Sequence, residues 1–477
     1  MRLAALAILS TLALQAAGLE ERIAALIDSA PVAVRGAVGV HVVNLATGVP
    51  VYEHNEHQLF LPASNLKLFT AALAISRLGA DYRFETKLVQ DKSGSLILVG
   101  SGDPSMSSRV YPYSPTAASL KSLHAIEELV DQAVAAGLTR VDGDVVGDDQ
   151  HYPWSPYPES WTADDATRDF GAPVSALTLN DNVITILLRP GARAGALANV
   201  ELDPGFEYFT LDNRVTTTDA VGANSVRVTR IPNTRQLVLT GVITTKSSVL
   251  RQTVAVDDPA LFSAYALYDA LLRRGIPVRG RPAARHRVTQ VLRPVEGQVL
   301  ATRQSPPLSE LLQAAIKVSQ NLHAELFLRE AAAVRLGQGT VENGLRDLRV
   351  LLTELRIPPA DFVSEDGSGL ARNDEVTPRA FTQLLVAMDK GEQRDLWRSL
   401  FPVGGQDGTL SSRLCCTSEP VSIRAKTGSL SRAIALSGYA DSRSNGRLAF
   451  SILVNNFAAS AAEVRAWVDR LASVLVE

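Results

Sequence analysis

Cysteine is nearly absent. Cys415 and Cys416 are the whole complement of the 477-residue chain. They are adjacent, so they form one strained local ring or stay as two thiols. Neither option makes a disulfide scaffold or a metal site. A one-sided charge field is also lacking. The formal net charge is −3, which leaves no basic surface of the kind nucleic acid needs. Lysine is scarce and occurs only at 67, 87, 92, 121, 246, 317, 390 and 426. Beyond residue 18 no apolar run is long enough to span a bilayer. His54 and His57 have ligand-like spacing, but they sit at a polar strand end without a third ligand. No metal and no cofactor is expected.

What is present starts with a processing signal. Met1-Arg2 is a short positive start, and Leu3 to Leu14 is an apolar run too short to cross a membrane. Ala16-x-Gly18 fits a small-x-small cleavage rule, so residues 1–18 read as a signal peptide. The mature chain is then expected to be exported and soluble, in a periplasm or outside the cell. Its length suggests two or three domains, and its 46% hydrophobic content is ordinary for a globular protein.

The hydrophobic pattern orders the chain. Leu19 to Ala30 predicts an amphipathic helix, and Ala37 to Leu45 and Val49 to Glu53 predict two strands. A helix follows that starts at Ser64 or Asn65, with their side chains as caps, and ends near Gly79. Lys87 to Val99 predicts a hairpin, Ser119 to Gly137 a helix and Val141 to Val146 a strand. Tyr152 to Pro173 has no clear period and reads as an ordered loop. Ala176 to Leu188 predicts a strand region broken at Asn180-Asp181-Asn182. Gly191 to Arg251 is β in pattern, with a turn at Pro232-Asn233-Thr234. Asp258-Pro259 opens a helix that stops at Gly275. From Val291 the pattern turns α/β again: two helical runs around Ser319, helices at Thr340 to Leu355 and Thr377 to Met388, strands at Ala433 to Ala440 and Arg447 to Asn455, and a helix from Ala459.

The two chain ends mirror each other. They predict one antiparallel sheet, with both terminal helices on one face and the Ser64 helix on the other. The expected domains are 19–81 with 292–477, an inserted domain at 82–190 with 252–291, and a β-rich insert within it at 191–251.

Three short motifs carry chemistry. Ser64-Asn-Leu-Lys67 puts a hydroxyl and an amine on one face of a helical turn. A serine hydroxyl is a poor nucleophile until a base takes its proton, and a partly buried lysine can do so. Ser319-Gln-Asn321 offers a hydroxyl and an amide between helical runs. Lys426-Thr427-Gly428 opens a strand region. In this order, S-x-x-K, S-x-N and K-T-G resemble the penicillin-recognising serine enzymes. In that reading Ser64 is acylated and Lys67 is its base. Ser319 relays a proton, and Asn321 holds the substrate amide and Lys67. Lys426 and Thr427 take a substrate carboxylate, and Lys426 also disfavours charge on Lys67. Gly428 lets the strand backbone approach a ligand, and the N–H groups of Ser64 and Ser429 form the oxyanion hole.

Four more stretches narrow the resemblance. Leu98 to Ser105, Phe170 to Asn182, Asp366-Gly-Ser-Gly-Leu-Ala-Arg372 and Pro402 to Leu410 resemble the D-alanyl-D-alanine carboxypeptidase/endopeptidase family of low-molecular-mass class C penicillin-binding proteins (penicillin-binding protein 4-like, the S13 peptidases). The resemblance covers nearly the whole mature chain. It implies an α/β penicillin-binding domain with a five-stranded antiparallel sheet, interrupted by a second domain that is interrupted by a third. It implies cleavage of the terminal D-Ala of peptidoglycan stem peptides, often of their cross-links, and acylation by β-lactams. It places Asp165 and Phe170 at the free end of a diaminopimelate-type side chain and Arg372 near the acyl group; the plain reading of Asp165 is a turn cap. Ser431 stands where some members carry Gln. A serine β-lactamase shares the three motifs but usually needs a placed deacylating base, and none stands out. A catalytically silent muropeptide-binding protein would be favoured by loss of Ser64, Lys67 or Lys426, and all three are present.

Overall fold

Apolar strands from the two chain ends build one sheet, the central ones buried on both faces. The computed structural model describes residues 18–31, 34, 36–222, 224–231, 234–289, 291–415 and 423–476. Residues 1–17 of the expected signal peptide, the turn residues Pro232 and Asn233, and Cys416 lie outside them. The chain divides into two compact units. One comprises Met1–Ala80, Leu312–Ala324 and Leu345–Glu477; the other comprises Asp81–Leu311 and Glu325–Gly344.

In the first unit the strands are β1 (Ala37–Asn44), β2 (Pro50–His54), β3 (Ile423–Leu430), β4 (Ala433–Ser442) and β5 (Gly446–Asn455). They pair antiparallel throughout, in the order β3-β4-β5-β1-β2. The helices wholly within it are α1 (Leu19–Asp28), α2 (Lys67–Leu78), α6 (Pro378–Lys390), α7 (Arg394–Ser399) and α8 (Ala461–Val474), while α3 (Leu308–Val318), α4 (Asn321–Leu336) and α5 (Val341–Glu354) are divided between the two units, only the first turn of α4 belonging here. Because side chains alternate along a strand, Val38, Val40 and Val42 of β1 face one layer with Ile434, Leu436, Phe450 and Ile452. That layer is closed by Ile23 and Ile27 of α1 and Val464, Trp467, Val468 and Leu471 of α8, which recur at helical spacing. Ser460 caps α8 by accepting from Glu463 N, and Glu463 returns the bond. The other face of β1 begins at Gly39. A Cβ there would stand 2.4 Å from the Phe60 ring and 2.7 Å from Pro378, the first residue of α6. The expected five-stranded antiparallel sheet flanked by helices is what forms.

The second unit is built on a five-stranded mixed sheet in the order Pro282–Arg287, Val145–Pro153, Leu96–Val99, Glu85–Gln90, Gln298–Gln304. Two three-stranded sheets accompany it, Leu250–Ala255 with Val183–Arg189 and Asn199–Asp203, and Thr210–Thr218 with Gln236–Thr244 and Arg227–Arg230. The helices His124–Ala135 and Pro259–Arg273 bury apolar faces against this unit's core. Asp258 caps the second of them by accepting from Leu261 N.

Some element edges differ from expectation. The predicted strand at Val141 to Val146 instead runs from Val145 to Pro153. It carries Asp148, Asp149 and Gln150 buried, which polarity alone reads as loop. The predicted helix from Ser119 begins only at His124. Asn180-Asp181-Asn182 is a short turn with all three residues at positive φ, so the strand starts after it, at Val183.

One half-buried cluster of this unit sets a pH response. His286 stands between two carboxylates, with Nδ1 3.0 Å from Asp149 Oδ1 and Nε2 3.2 Å from Asp258 Oδ2. Burial lowers the imidazolium pKa, but the bonds and charges of the two aspartates outweigh it and hold it at about 10. The ordinary value is about 6.5. The folded state therefore holds this proton more tightly than the unfolded chain. Its contribution to stability is complete below about pH 6.5 and is lost as pH rises toward 10. Thermal unfolding between pH 6 and 10 should show wild type losing more stability than His286→Gln. Parallel curves would sink this reading.

Candidate active site

The Ser64 region is a tight turn before it is a helix. Ala63–Leu66 is 3₁₀ and α2 starts only at Lys67. The expected side-chain cap at Ser64 or Asn65 is not made. Asn65 Nδ2 instead donates to Ser437 Oγ of β4 at 2.7 Å, and Ser437 continues to Ser451 Oγ of β5 at 2.9 Å. Tertiary anchoring has replaced local capping. The 3₁₀ turn nearly eclipses residues i and i+3, and Lys67 Nζ lies 2.8 Å from Ser64 Oγ. Ala63, just before the serine, has φ 48°. That left-handed conformation is costly for a residue with a Cβ and occurs where surroundings impose it.

Lys67 is almost wholly enclosed, at 1% relative exposure. Besides Ser64 it donates to Asn321 Oδ1 at 2.6 Å and to the Ser368 carbonyl at 2.7 Å. The S-x-N motif turns sharply between α3 and α4, with Ser319 at φ 64°. This delivers Asn321 to Lys67 and Ser319 to the second lysine. Lys426 Nζ lies 2.7 Å from Ser319 Oγ and 2.7 Å from the Thr427 carbonyl. Lys426 lies inside β3, and its side chain is fully buried. Burial, and then the charge of Lys67, push its ammonium well below the usual lysine range. Two hydrogen-bonded sets thus stand near each other, Ser64–Lys67–Asn321 and Ser319–Lys426, and the charge of Lys67 reaches Lys426; both are drawn from sequence positions hundreds of residues apart.

The neighbours of the K-T-G strand are specific. Thr427 Oγ1 donates to Thr409 Oγ1 at 2.8 Å. Gly428 is also closely packed within the protein. A Cβ there would stand 2.7 Å from the Pro62 carbonyl oxygen and 3.2 Å from Ala63 Cβ. The glycine lets β3 press against the turn that carries Ser64. Ser429 follows, exposed, paired with Ile434.

The Asp366–Arg372 stretch holds the part that motif reading missed. Asp366 is fully buried. Its carboxylate accepts the backbone N–H groups of Ser368, Gly369, Leu370 and Ala371 at 3.0, 2.6, 2.9 and 3.0 Å. The loop wound around it turns two carbonyls toward α2. Gly367 O accepts from Thr70 Oγ1 at 2.6 Å, and Ser368 O accepts from Lys67. Thr70 and Lys67 are one turn apart on the same helix face. Gly369, at φ 79°, touches the Ala63 carbonyl, where a Cβ would be only 2.0 Å away. The signal was an aspartate followed by small residues, a sequence suited to wrapping backbone N–H groups around one carboxylate. Arg372 is exposed and its Nη1 donates to the Leu370 carbonyl.

Asp165 and Phe170 belong to the other unit. Asp165 is buried and accepts from Thr162 N at 3.0 Å and Thr162 Oγ1 at 2.7 Å, a turn cap. Phe170 is 44% exposed. Among the described residues His54 and His57 belong to no group of three that could hold a metal.

The D-Ala-D-Ala carboxypeptidase 3 (S13) family description matches residues 19–475. The chain belongs to this peptidase family. An S13 relative from Actinomadura sp. (strain R39), a D-alanyl-D-alanine carboxypeptidase, is 32% identical over 449 residues, 89% of this chain and 78% of the relative. The D-alanyl-D-alanine carboxypeptidase DacB of Haemophilus influenzae is 25% identical over 88% of this chain and 85% of its own length. The crystal structure of penicillin binding protein 4 (dacB) from Haemophilus influenzae superposes with a TM-score of 0.79 at 23% identity, covering 94% of this chain and 97% of that one. That likeness establishes the S13 peptidase's fold. The same protein has been crystallised with a β-lactam, and that structure superposes with a TM-score of 0.74 at 22% identity.

Proposed function

We propose that this S13 peptidase is a serine-type D-Ala-D-Ala carboxypeptidase and DD-endopeptidase of peptidoglycan stem peptides. It works through an acyl-enzyme on Ser64 and is acylated by β-lactams. The observation that carries the mechanism is the set of partners around Lys67. Among them are three hydrogen-bonding groups, and two of these, Asn321 Oδ1 and Ser368 O, can only accept. The third is a hydroxyl, which can accept or donate. A neutral amine has two N–H groups and one lone pair. The two carbonyls take the N–H groups, which leaves the lone pair for the Ser64 proton. After transfer the ammonium has three N–H groups for the same three positions, so no partner must move.

The sequence of steps follows. Ser64 Oγ attacks the carbonyl of the penultimate residue while Lys67 takes its proton. The backbone N–H groups of Ser64 and Ser429 receive the oxyanion. Ser319, bonded to Lys426, passes a proton to the leaving amine. Lys426 and Thr427 select the free carboxylate of the substrate. Water then releases the shortened peptide. Asp165, Phe170 and Arg372 are assigned to stem-peptide contacts on motif resemblance alone. Export to a periplasm or cell wall fits this substrate. Among the described residues no helix is long and apolar enough to cross a membrane.

Purified protein and Ser64→Ala test this directly with a labelled penicillin and a D-Ala-D-Ala peptide. Stable labelling and D-Ala release are expected, and both should vanish in the variant. Rapid penicillin hydrolysis without D-Ala release would identify a β-lactamase instead. Binding of muropeptide with no Ser64-dependent reaction would identify a silent binding protein.

A further inference from the structure

The first unit has a second cavity, at the opposite edge of the sheet from Lys426. It has a volume of about 580 Å³ and lies between β1, β2, the face of α6 and the end of α5. Lys426 is on β3, the far edge strand. Three strand spacings of about 4.8 Å each separate β3 from β1.

The lining shows what the cavity is suited to hold. Three cations surround it: Arg356, Arg379 and Lys390. None of them joins an ion pair among the described residues. Arg379 Nη1 lies 3.4 Å from the ring nitrogens of His57 and meets no carboxylate. The one carboxylate of the lining, Glu53, lies 3.4 Å from His41 Nε2. Arg379, Gln383, Val386 and Lys390 recur at helical spacing on α6, while Phe381, Leu384, Leu385 and Met388 take the buried face. Arg356 follows α5 at φ 58°, a left-handed position where glycine is the common choice. Gln383 Oε1 is buried and has no hydrogen-bond partner. A buried acceptor left unpaired calls for a donor.

We infer that this cavity is a second binding site, for the free carboxylate end of a short peptide. Such an end carries the three features that the lining lacks partners for. Its carboxylate meets Arg379 with Arg356 and Lys390, its last amide N–H donates to Gln383 Oε1, and a small side chain lies against Val386 and Ala387. A free phosphate satisfies only the cations. The site is independent of Ser64 and does not rest on the reaction proposed there.

The probe is N-acetyl-D-alanine, titrated calorimetrically into the full-length protein. A dissociation constant on the order of 1 mM is expected for so small a ligand. N-acetyl-D-alaninamide, which lacks the carboxylate, should bind about tenfold or more weakly, and so should inorganic phosphate. Arg379→Ala and Gln383→Leu should each weaken the probe about tenfold. Arg379→Lys should give an intermediate loss, and it serves if Arg379→Ala does not fold. Ser64→Ala should bind like wild type. Loss in Ser64→Ala with retention in Arg379→Ala and Gln383→Leu would place the probe at the Ser64 site and overturn the proposal. So would absence of binding, or phosphate binding as tightly as the probe.

Discussion

Lys67→Ala should lower the rate of penicillin labelling at neutral pH by about 10³- to 10⁴-fold, the loss expected when a positioned general base is removed. The substitution takes away the amine that lies 2.8 Å from Ser64 Oγ. It also strands two buried acceptors, Asn321 Oδ1 and Ser368 O. Lys67→Arg separates the two effects. Arginine restores donors for those acceptors, but its guanidinium does not give up a proton in proteins. It should therefore stay as inactive as alanine while recovering thermal stability. Rapid-mixing kinetics with a fluorescent penicillin, beside thermal unfolding, give both readings. If Lys67→Arg labels within about tenfold of wild type, proton transfer runs through another group and the assignment of Lys67 as base is wrong.

The second large effect is at Asp366. Alanine there removes the acceptor of four backbone N–H groups in a site without solvent. Unpaired buried donors cost about 1–3 kcal/mol each, and relaxation of the loop recovers part of the sum. A loss of roughly 4 kcal/mol is expected, visible as a drop of many degrees in the unfolding temperature. Asn is the more telling change. Its oxygen can serve two of the N–H groups, but its amide nitrogen faces the other two as donor against donor. The loop then shifts, and the Ser368 carbonyl moves away from Lys67. A displacement of about 1 Å can slow a reaction about 10²-fold. Penicillin labelling by Asp366→Asn should fall by that order. Full labelling at wild-type rate would show that Asp366 serves only loop stability.

Much of the catalytic unit was legible from residues. The sheet followed from short strand-like apolar runs at both chain ends, whose central strands are buried on both faces. The lysine and serine motifs were legible because their chemistry is borne by side chains. The Ser368 carbonyl was not, since a backbone acceptor leaves no residue type behind. Its only trace is the aspartate that winds the loop. Gly428 was visible, but its partner was not: close packing against Pro62 and approach to a ligand ask for the same residue. Asn65 was misread as a cap because Ser437, its actual partner, is 372 residues away. In the second unit, the strand predicted at Val141 to Val146 was ended too early, because buried aspartates and a glutamine imitate a loop along the rest of Val145–Pro153.

The pairing of β1 with β5 governs how this chain can be made. Ala37 lies opposite Asn455, so β1 is synthesised some 400 residues before its neighbour exists. At ribosomal speeds that is a wait of roughly 20 to 80 seconds. During it an apolar strand has one edge open, the situation that invites misassociation. The second unit draws most of its strands from Asp81–Leu311 and can finish first. The unit that holds Ser64 closes only when the last strands arrive. Ser64 is thus among the first residues of its unit to be translated and among the last to be organised, so a chain cut short before β5 lacks the sheet against which the Ser64 turn is anchored.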